Sequence, residues 1–211
     1  YSSAASDVYK RQGTYGDGVY QLDRSGRIVA HLTQGKGELT TNYIFSVIED
    51  NDGDLWIGGL NGGLVMYNKA KTKKQIFDIN WIHSIVVVNR RQIAVATVNG
   101  FCMIDKQSGK VERYATTQDL KEQNASSYIT SMLFNADETV WLATEGGGLS
   151  LYNMRTHEVK AFTTDDGMLS NDVYSLQRDA QGGVWASSGK GLAIVCLLYT
   201  SPSPRDISGS R

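Results

Sequence analysis

The sequence predicts an all-β fold, and within that class a β-propeller of about four four-stranded blades. The first observation is an internal repeat: residues 42–68, 127–153 and 171–195 align with one another, and residues 83–105 and 13–33 carry a weaker and a partial copy. The second is a glycine ahead of the last apolar strand of each copy. It recurs at a mean interval of about 43 residues, which is the length of a propeller blade, at Gly18, Gly63, Gly100, Gly148 and Gly191.

Each copy consists of short strands, and residues 42–78 show them best. Residues 43–49 form one apolar run rich in β-branched and aromatic residues, which predicts a first strand at the inner edge of the blade, covered on both faces. Asp52-Gly53 predicts a hairpin turn after it. The other strands are expected at residues 55–58, 64–68 and 74–78. The last of these is the most polar, which favours a position at the solvent-exposed rim.

The repeats define the expected domain organisation. Propeller repeats are predicted over residues 13–195. Within that range we expect a partial blade at 13–33, blades at about 42–78, 82–114 and 127–162, and a partial blade at 169–195.

One position in the second strand predicts the core. Trp56, Trp141 and Trp185 share it, and a ring of that size can fill the space between stacked blades. In the weaker copy we assign Ile93 to the same position, and we expect that blade to pack less tightly.

The two ends lie outside the pattern. Residues 1–12 and 196–211 match no copy of the repeat, and the second segment holds both prolines. We interpret both as non-native, adapter-like tails; the alternative is a pair of natural disordered tails. In either case they are left out of the fold prediction.

Composition excludes several classes of function. The formal charge is −1, with 21 basic and 22 acidic residues, so the basic face that nucleic-acid binding needs is not expected. No apolar run approaches the roughly 20 residues that cross a bilayer. Cys102 is the one cysteine in the repeats, and neither a disulfide framework nor zinc-ligand spacing is present. No cofactor is expected.

No motif predicts catalysis or metal binding. His31, His83 and His157 fall at different repeat positions and are expected at the surface or rim. The acidic segment 50–54 lacks the pattern of a calcium-binding EF-hand loop and is interpreted as a turn. The glycines at 146–148 precede a strand and not a helix, which argues against a phosphate site. We therefore predict no catalytic residue, and an enzyme is the least favoured function.

A ligand site is expected on one face of the propeller. The loops that lead into the first strands and those between the second and third strands lie on the same face, and they carry aromatic, amide and charged residues of the kind that bind sugars. The candidate ligand-binding residues are Tyr43, Trp81, His83, Tyr128, Asn171, Asn61, Asn99, Glu145 and Lys190.

The repeat resembles a known family. The order "apolar strand, Asp-x-x-Gly-x-Leu-Trp-Ile-Gly, Gly-Gly-Leu, Tyr-Asn" in residues 44–68 is similar to the two-component regulator propeller repeat. Elements of it recur at residues 141–153, and the segment 165–171 resembles the lead-in to a further blade. The resemblance covers residues 13–195 and is weakest around Ile93.

The resemblance implies a sensor. Such repeats occur in hybrid two-component histidine kinases of Bacteroides-type bacteria, with seven-bladed propellers on the periplasmic side of the inner membrane that sense oligosaccharides. The chain would then be a fragment of a larger, seven-bladed propeller, with the remaining blades as partners. Its parent would be membrane-anchored and homodimeric, and the kinase activity would belong to the parent. The alternative is a secreted or periplasmic protein-interaction scaffold without a kinase. A four-bladed ring, closed by residues 19–33 against the last blade, is a further alternative for the fold.

Overall fold

The structure, a computed structural model, describes residues 10–120, 123 and 125–195, and within them it forms five antiparallel sheets. Consecutive strands pair in every sheet, with no crossover. The predicted all-β propeller is confirmed. The tail predictions for residues 1–9 and 196–211 lie outside the described residues.

Three sheets have four strands each. The second sheet is β4 (Ile44–Glu49), β5 (Leu55–Gly59), β6 (Leu64–Tyr67) and β7 (Lys74–Phe77). The third is β8 (Ile82–Val87), β9 (Gln92–Thr97), β10 (Gly100–Asp105) and β11 (Val111–Tyr114). The fourth is β12 (Ile129–Phe134), β13 (Thr139–Thr144), β14 (Leu149–Asn153) and β15 (Val159–Phe162). A short helix, α1 (Thr117–Leu120), and a 3-10 turn (Thr164–Asp166) lie in the connections between sheets.

The first and last sheets have three strands each. The first is β1 (Lys10–Gly13), β2 (Val19–Leu22) and β3 (Ile28–Leu32), and the fifth is β16 (Val173–Arg178), β17 (Val184–Ser188) and β18 (Gly191–Val195). By repeat position the first sheet holds the second to fourth strands of a blade, and the fifth sheet holds the first to third. No strand of the first sheet pairs with the fifth, so the described residues do not form the four-bladed ring.

Strand β1 extends the first sheet into residues that we assigned to a tail. Lys10, Arg11 and Gln12 pair with β2 although they match no apolar pattern. Backbone pairing along the edge of β2 does not depend on side-chain type, which explains why the hydrophobic pattern missed this strand. Register places Arg11 at the tryptophan position, where its guanidinium forms an ion pair of 2.5 Å with Glu49 of the second sheet.

The hydrophobic core lies between neighbouring sheets. Four clusters of buried side chains each join two consecutive sheets, from the pair formed by the first and second to the pair formed by the fourth and fifth. Gly58 shows how closely the sheets approach, because a Cβ atom there would lie 2.4 Å from Ile82 of the next sheet. Gly13 meets Ile44 in the same way, at 2.7 Å.

The repeated glycine ahead of the third strand has a steric cause. Gly148 has a φ of 72°, and a Cβ atom on it would lie 2.2 Å from the carbonyl oxygen of Phe162 in the fourth strand. Gly18, Gly63 and Gly100 also have positive φ and face a fourth-strand carbonyl at 2.2 to 2.5 Å. Gly191 has no such neighbour, because the fifth sheet has no fourth strand among the described residues.

The tryptophan prediction is correct in two sheets and wrong in one. Trp56 and Trp141 are each 1% exposed, and each packs against the fourth-strand phenylalanine of its own sheet. Trp185 is 39% exposed, because its ring faces away from the fourth sheet and no later sheet covers it in the described part of the chain.

The assignment of Ile93 to the tryptophan position was wrong by one residue. In the second sheet, Trp56 pairs with Met66, which is three residues after Gly63. In the third sheet, the residue three after Gly100 is Met103, and it pairs with Ala94. Ala94 therefore holds the tryptophan position, and Ile93 precedes it. A shift of one residue reverses the face of a strand, so Ile93 packs towards the second sheet and Ala94 towards the fourth. Ile93 is fully buried, as expected of a core residue. Phe101 is fully buried and stacks on the fourth-strand residue Tyr114, as Trp56 stacks on Phe77 in the second sheet.

The first strands are less buried than their apolar sequences predicted. In β4 only Ile44 is buried, whereas every residue of β5 is buried. The first strand has a neighbour on one edge only and lies at the inner edge of the blade. Its apolar run therefore serves partly to line that edge, and the expectation that both faces are covered was wrong.

Candidate functional site

The candidate site lies where two kinds of loop meet on one face of the sheets. The residues that precede each first strand contact the loops between second and third strands through backbone hydrogen bonds. Leu60 donates to the carbonyl of Tyr43 at 3.0 Å, and Trp81 donates to the carbonyl of Leu60 at 2.9 Å. Glu145 donates to the carbonyl of Tyr128 at 3.0 Å. The loop pairing that the sequence predicted is thus present within and between sheets.

Five aromatic side chains form a continuous row across the first four sheets, which we call the aromatic stripe: Tyr43, Tyr15, Phe45, His83 and Tyr128. The Tyr15 ring lies 4.9 Å from that of Tyr43 and 6.0 Å from that of Phe45. Phe45 lies 5.3 Å from the His83 ring, and His83 lies 4.9 Å from Tyr128. Tyr15, Tyr43 and Phe45 are between 41% and 73% exposed, so three of the five rings are open to solvent.

A repeated β-bulge places two members of the stripe. The pairing of β4 with β5 shifts between Ile44 and Ser46, which leaves Phe45 out of the ladder. The same shift occurs in β8 and leaves His83 out. A bulge redirects the side chain of the extra residue and is common beside functional sites. Thr130 and Tyr174 occupy the equivalent bulges of β12 and β16.

His83 is the most enclosed member of the stripe. Its ring lies between those of Phe45 and Tyr128, and its Nε2 atom is buried without a hydrogen-bond partner among the described residues. Burial lowers the pKa of His83, and the nearby Glu145 carboxylate only partly opposes this shift. The imidazole is therefore neutral at neutral pH. His83 lies at the inner end of a first strand, so the expectation of a surface or rim position was wrong.

Glu145 supplies an acidic group beside the last ring of the stripe. Burial raises the pKa of Tyr128, and the negative charge of Glu145 raises it further. Glu145 itself is exposed and begins the loop between β13 and β14. The stripe and Glu145 thus combine tilted and edge-on aromatic rings, a neutral imidazole and one carboxylate, a set that can stack on a sugar and accept hydrogen bonds from its hydroxyl groups.

The structure separates the predicted site residues into three groups. Tyr43, His83, Tyr128 and Glu145 are brought together in or beside the stripe. Trp81 lies on the same face and is 49% exposed, with a φ of 56° that is unusual for a bulky residue. Asn61, Asn99, Asn171 and Lys190 lie in loops of the same face, outside the stripe.

Two of those asparagines serve the fold. The Asn99 Oδ1 atom accepts hydrogen bonds from the backbone nitrogen and the hydroxyl of Thr117, at 2.8 and 2.9 Å. The Asn171 Oδ1 atom accepts one from the backbone nitrogen of Thr164 at 2.8 Å. These bonds fix the connections that carry α1 and the 3-10 turn, so these side-chain oxygens are engaged within the fold.

Tyr15, Phe45 and the exposed Tyr174 were not among the predicted site residues. Tyr15 lies in the loop between β1 and β2, within the partial first copy of the repeat. Phe45 and Tyr174 were counted among the apolar residues of first strands. The available signal was their shared position, immediately after the first buried residue of the strand, which is the bulge position.

The acidic segment 50–54 forms a hairpin turn, as interpreted. The Asp50 Oδ1 atom accepts hydrogen bonds from the backbone nitrogens of Asp52 and Asp54, at 2.9 and 3.0 Å. Its Oδ2 atom accepts from the Trp56 indole at 2.8 Å and forms an ion pair of 2.6 Å with Lys106 of the third sheet. These hydrogen bonds and the Lys106 charge lower the pKa of Asp50, although burial of the carboxylate opposes the shift. In the described part of the chain, no group of acidic, histidine and cysteine side chains could hold a metal ion.

The glycines at 146–148 are held by the neighbouring sheet. The Gly146 nitrogen donates to the Asp172 carboxylate at 2.9 Å, and the Gly148 nitrogen donates to the Asn171 carbonyl at 2.8 Å. These two amides are therefore occupied, which agrees with the argument against a phosphate site. None of the described helices is long and apolar enough to cross a membrane.

Comparison with known proteins identifies the repeat and the fold. The family model of the two component regulator propeller matches residues 38–61 and 167–190. No curated protein matches the sequence. The extracellular domain assigned to the hybrid two component system BT3049 from B. thetaiotaomicron is 25% identical, with a TM-score of 0.74. The similarity covers 94% of this chain and 26% of that domain.

Two further structures are similar in fold. The extracellular domain assigned to the one component system BT4673 from B. thetaiotaomicron is 16% identical, with a TM-score of 0.72 over 89% of this chain and 26% of that one. The WD40 β-propeller domain of Doa1 is 12% identical, with a TM-score of 0.62 over 90% of this chain and 60% of that one.

The chain thus spans about a quarter of the two sensor ectodomains that it resembles, as 26% of each is covered. Both of these relatives are extracellular domains. The matches at residues 38–61 and 167–190 confirm the predicted resemblance. Residues 38–61 and 167–190 thus match the two component regulator propeller repeat, and the described sheets form part of a β-propeller.

Proposed function

We propose that the chain is part of the extracytoplasmic sensing region of a hybrid two-component histidine kinase, and that its ligand is an oligosaccharide. The likeness to an extracellular domain of a hybrid two-component system supports the sensing role. The aromatic stripe is the single observation that supports the ligand class. Exposed rings beside hydroxyl-binding groups suit the apolar faces and hydroxyl edges of sugars.

The position of the stripe suits a sensor. Its members come from four consecutive sheets, so one bound ligand would contact several blades at the same time. Such a ligand favours one arrangement of the blades over others by its difference in affinity for them. In the proposed parent, further blades complete the propeller, and a membrane anchor and a kinase dimer receive the signal from the periplasmic side.

Binding measurements on the 211-residue chain test the ligand class. We expect saturable binding of one or more members of an oligosaccharide panel in calorimetric titrations. Phe45→Ala removes an exposed ring from the middle of the stripe and should weaken binding about 3- to 10-fold, in line with the contribution of one aromatic contact. Ile28→Ala, at an exposed apolar residue of β3, is the matched control and should leave the affinity unchanged.

The alternative is a protein-interaction scaffold. Exposed apolar residues of the fifth sheet, Trp185, Leu192 and Ile194, are the observation that favours it. A chain that binds a protein partner through this sheet and no member of the oligosaccharide panel would support the scaffold. Sequencing of the source DNA beyond both ends tests the parent: further repeats, a membrane helix and kinase motifs are expected, and their absence would contradict the sensor proposal.

A further inference from the structure

The charge around the aromatic stripe is one-sided. The bordering loops comprise the four residues before each first strand and the segments between second and third strands. They carry four carboxylates, Asp17, Asp78, Glu145 and Asp172, and one base, Lys190. Asp172 and Lys190 both border the fifth sheet, whereas the stripe crosses the first four, but the Asp172 carboxylate accepts a hydrogen bond from Gly146, next to Glu145, in the fourth sheet. An anionic ligand on the stripe would thus meet acidic neighbours and no cation from these loops.

The centre of the stripe strengthens this bias. His83 would supply positive charge if it were protonated, but burial between Phe45 and Tyr128 lowers its pKa and keeps it neutral. The Glu145 backbone nitrogen donates to the Tyr128 carbonyl at 3.0 Å, and its negative charge acts to raise the pKa of both Tyr128 and His83, so Glu145 lies beside the last two rings. The nearest formal charge to the enclosed end of the stripe is therefore negative.

A negative charge beside aromatic rings favours one class of sugar. Hydroxyl groups of a neutral sugar donate hydrogen bonds to a carboxylate, and an ammonium group gains both that contact and attraction to the ring faces. A uronate or sulfate group is instead repelled by the carboxylate, because both are negatively charged. This repulsion lowers the affinity for anionic glycans and so discriminates against them.

We infer that the stripe selects glycans without anionic groups, so that neutral oligosaccharides and amino-sugar oligosaccharides bind and uronate-bearing ones are rejected. This inference rests on the proposed function, because it concerns the ligand of the same site. It names Glu145 as the residue that sets the discrimination, while the rings supply the stacking.

Three hexamers with the same β-1,4 linkage test the inference: glucose, glucosamine with its amine protonated, and glucuronate. They are titrated into the 211-residue chain at low ionic strength, where exposed charges are least screened. We expect the glucuronate hexamer to bind at least about tenfold more weakly than the glucose hexamer, and the glucosamine hexamer to bind at least as tightly as glucose. A glycan array that contains the same three charge classes extends the test to other sugar stereochemistries.

The variant Glu145→Gln keeps the shape of the side chain and removes its charge. We expect this variant to reduce the ratio of the glucosamine-hexamer affinity to the glucuronate-hexamer affinity at least about threefold, with little effect on the affinity for the neutral hexamer. Glu138→Gln is the matched control, because Glu138 is an exposed glutamate in the hairpin at the opposite end of the same sheet. Glu138→Gln should leave the ratio of the glucosamine-hexamer to the glucuronate-hexamer affinity unchanged.

The outcomes separate the two proposals. Glucuronate or other uronate-bearing glycans among the tightest ligands, or a ratio that Glu145→Gln does not move, would overturn the selectivity and leave oligosaccharide sensing in place. No binding of any class, on the hexamers and on the array, would overturn the proposed ligand itself. If uronate-bearing glycans bind most weakly, and if Glu145→Gln changes the ratio of the glucosamine to the glucuronate affinity, the result supports both the oligosaccharide ligand and the selectivity.

Discussion

Trp56 and Trp185 allow one prediction about blade packing to be worked out in detail. Both residues occupy the same repeat position, and both donate an indole hydrogen bond to the aspartate six residues earlier, at 2.8 and 2.9 Å. They differ in their surroundings, since Trp56 is 1% exposed between two sheets and Trp185 is 39% exposed on the last one. Replacing each tryptophan by alanine therefore compares a buried ring with a partly exposed ring at the same repeat position.

The expected losses of stability follow from the buried area. A tryptophan buries roughly 200 Å², which at about 25 cal/mol per Å² corresponds to roughly 5 kcal/mol as an upper estimate. Trp56→Ala should remove most of this and leave a cavity between the second and third sheets, for a loss of about 4–5 kcal/mol. Trp185→Ala removes about three fifths of that area and leaves no enclosed cavity, so we expect about 3 kcal/mol. The lost hydrogen bond is buried at Asp50 and exposed at Asp179, so its loss adds to the larger cost of Trp56→Ala.

Urea unfolding followed by far-ultraviolet circular dichroism measures both losses without relying on tryptophan fluorescence. The account predicts that Trp56→Ala costs at least about 1 kcal/mol more than Trp185→Ala. Equal losses, within about 0.5 kcal/mol, would refute the reasoning that stability at this position comes from burial between blades.

Three other perturbations follow from the structure. Gly148→Ala should lower the free energy of unfolding in urea by about 2–4 kcal/mol, because the new Cβ atom would lie 2.2 Å from a carbonyl oxygen. Gly191→Ala introduces backbone strain alone and should cost less. A larger loss at Gly191 would contradict the steric argument. Asp50→Asn should cost about 2–3 kcal/mol, because it removes the charge that pairs with Lys106 across two sheets, and a thermal shift assay that finds no loss would contradict this role. The lowered pKa of His83 means that the unfolded chain binds a proton on this side chain at higher pH than the folded chain does, so the free energy of unfolding should fall as pH drops below 6.5. His83→Gln should reduce the slope of the urea midpoint against pH in that range. An unchanged slope would contradict the prediction.

Much of the fold could be predicted because the repeat constrains it at several positions. The glycine before the third strand, the tryptophan and the apolar first strand each recur, and any one copy supports the interpretation of the others. The same argument failed where the copy was weak. Around Ile93 the loop between the second and third strands has one residue fewer than in the second and fourth sheets, so alignment by the following glycine, Gly100, placed the tryptophan position one residue too early.

The candidate site was only partly predictable, because its geometry depends on features with no sequence signature. Tyr43, His83 and Tyr128 were identified from their loop and strand positions, but a bulge in β4 is what turns Phe45 out of the ladder. The internal hydrogen bonds of Asn99 and Asn171 also depend on the connections that the fold brings close. An amide in a loop has the same sequence signature whether it binds a ligand or fixes a turn.

A crystal structure of the 211-residue chain with the tightest oligosaccharide from the panel tests the central claim most directly. The account predicts sugar rings stacked along the aromatic stripe, in contact with Phe45 and Tyr128 and with a hydroxyl or amine directed towards Glu145. A sugar bound elsewhere on the described sheets, with the stripe left open to solvent, would contradict it.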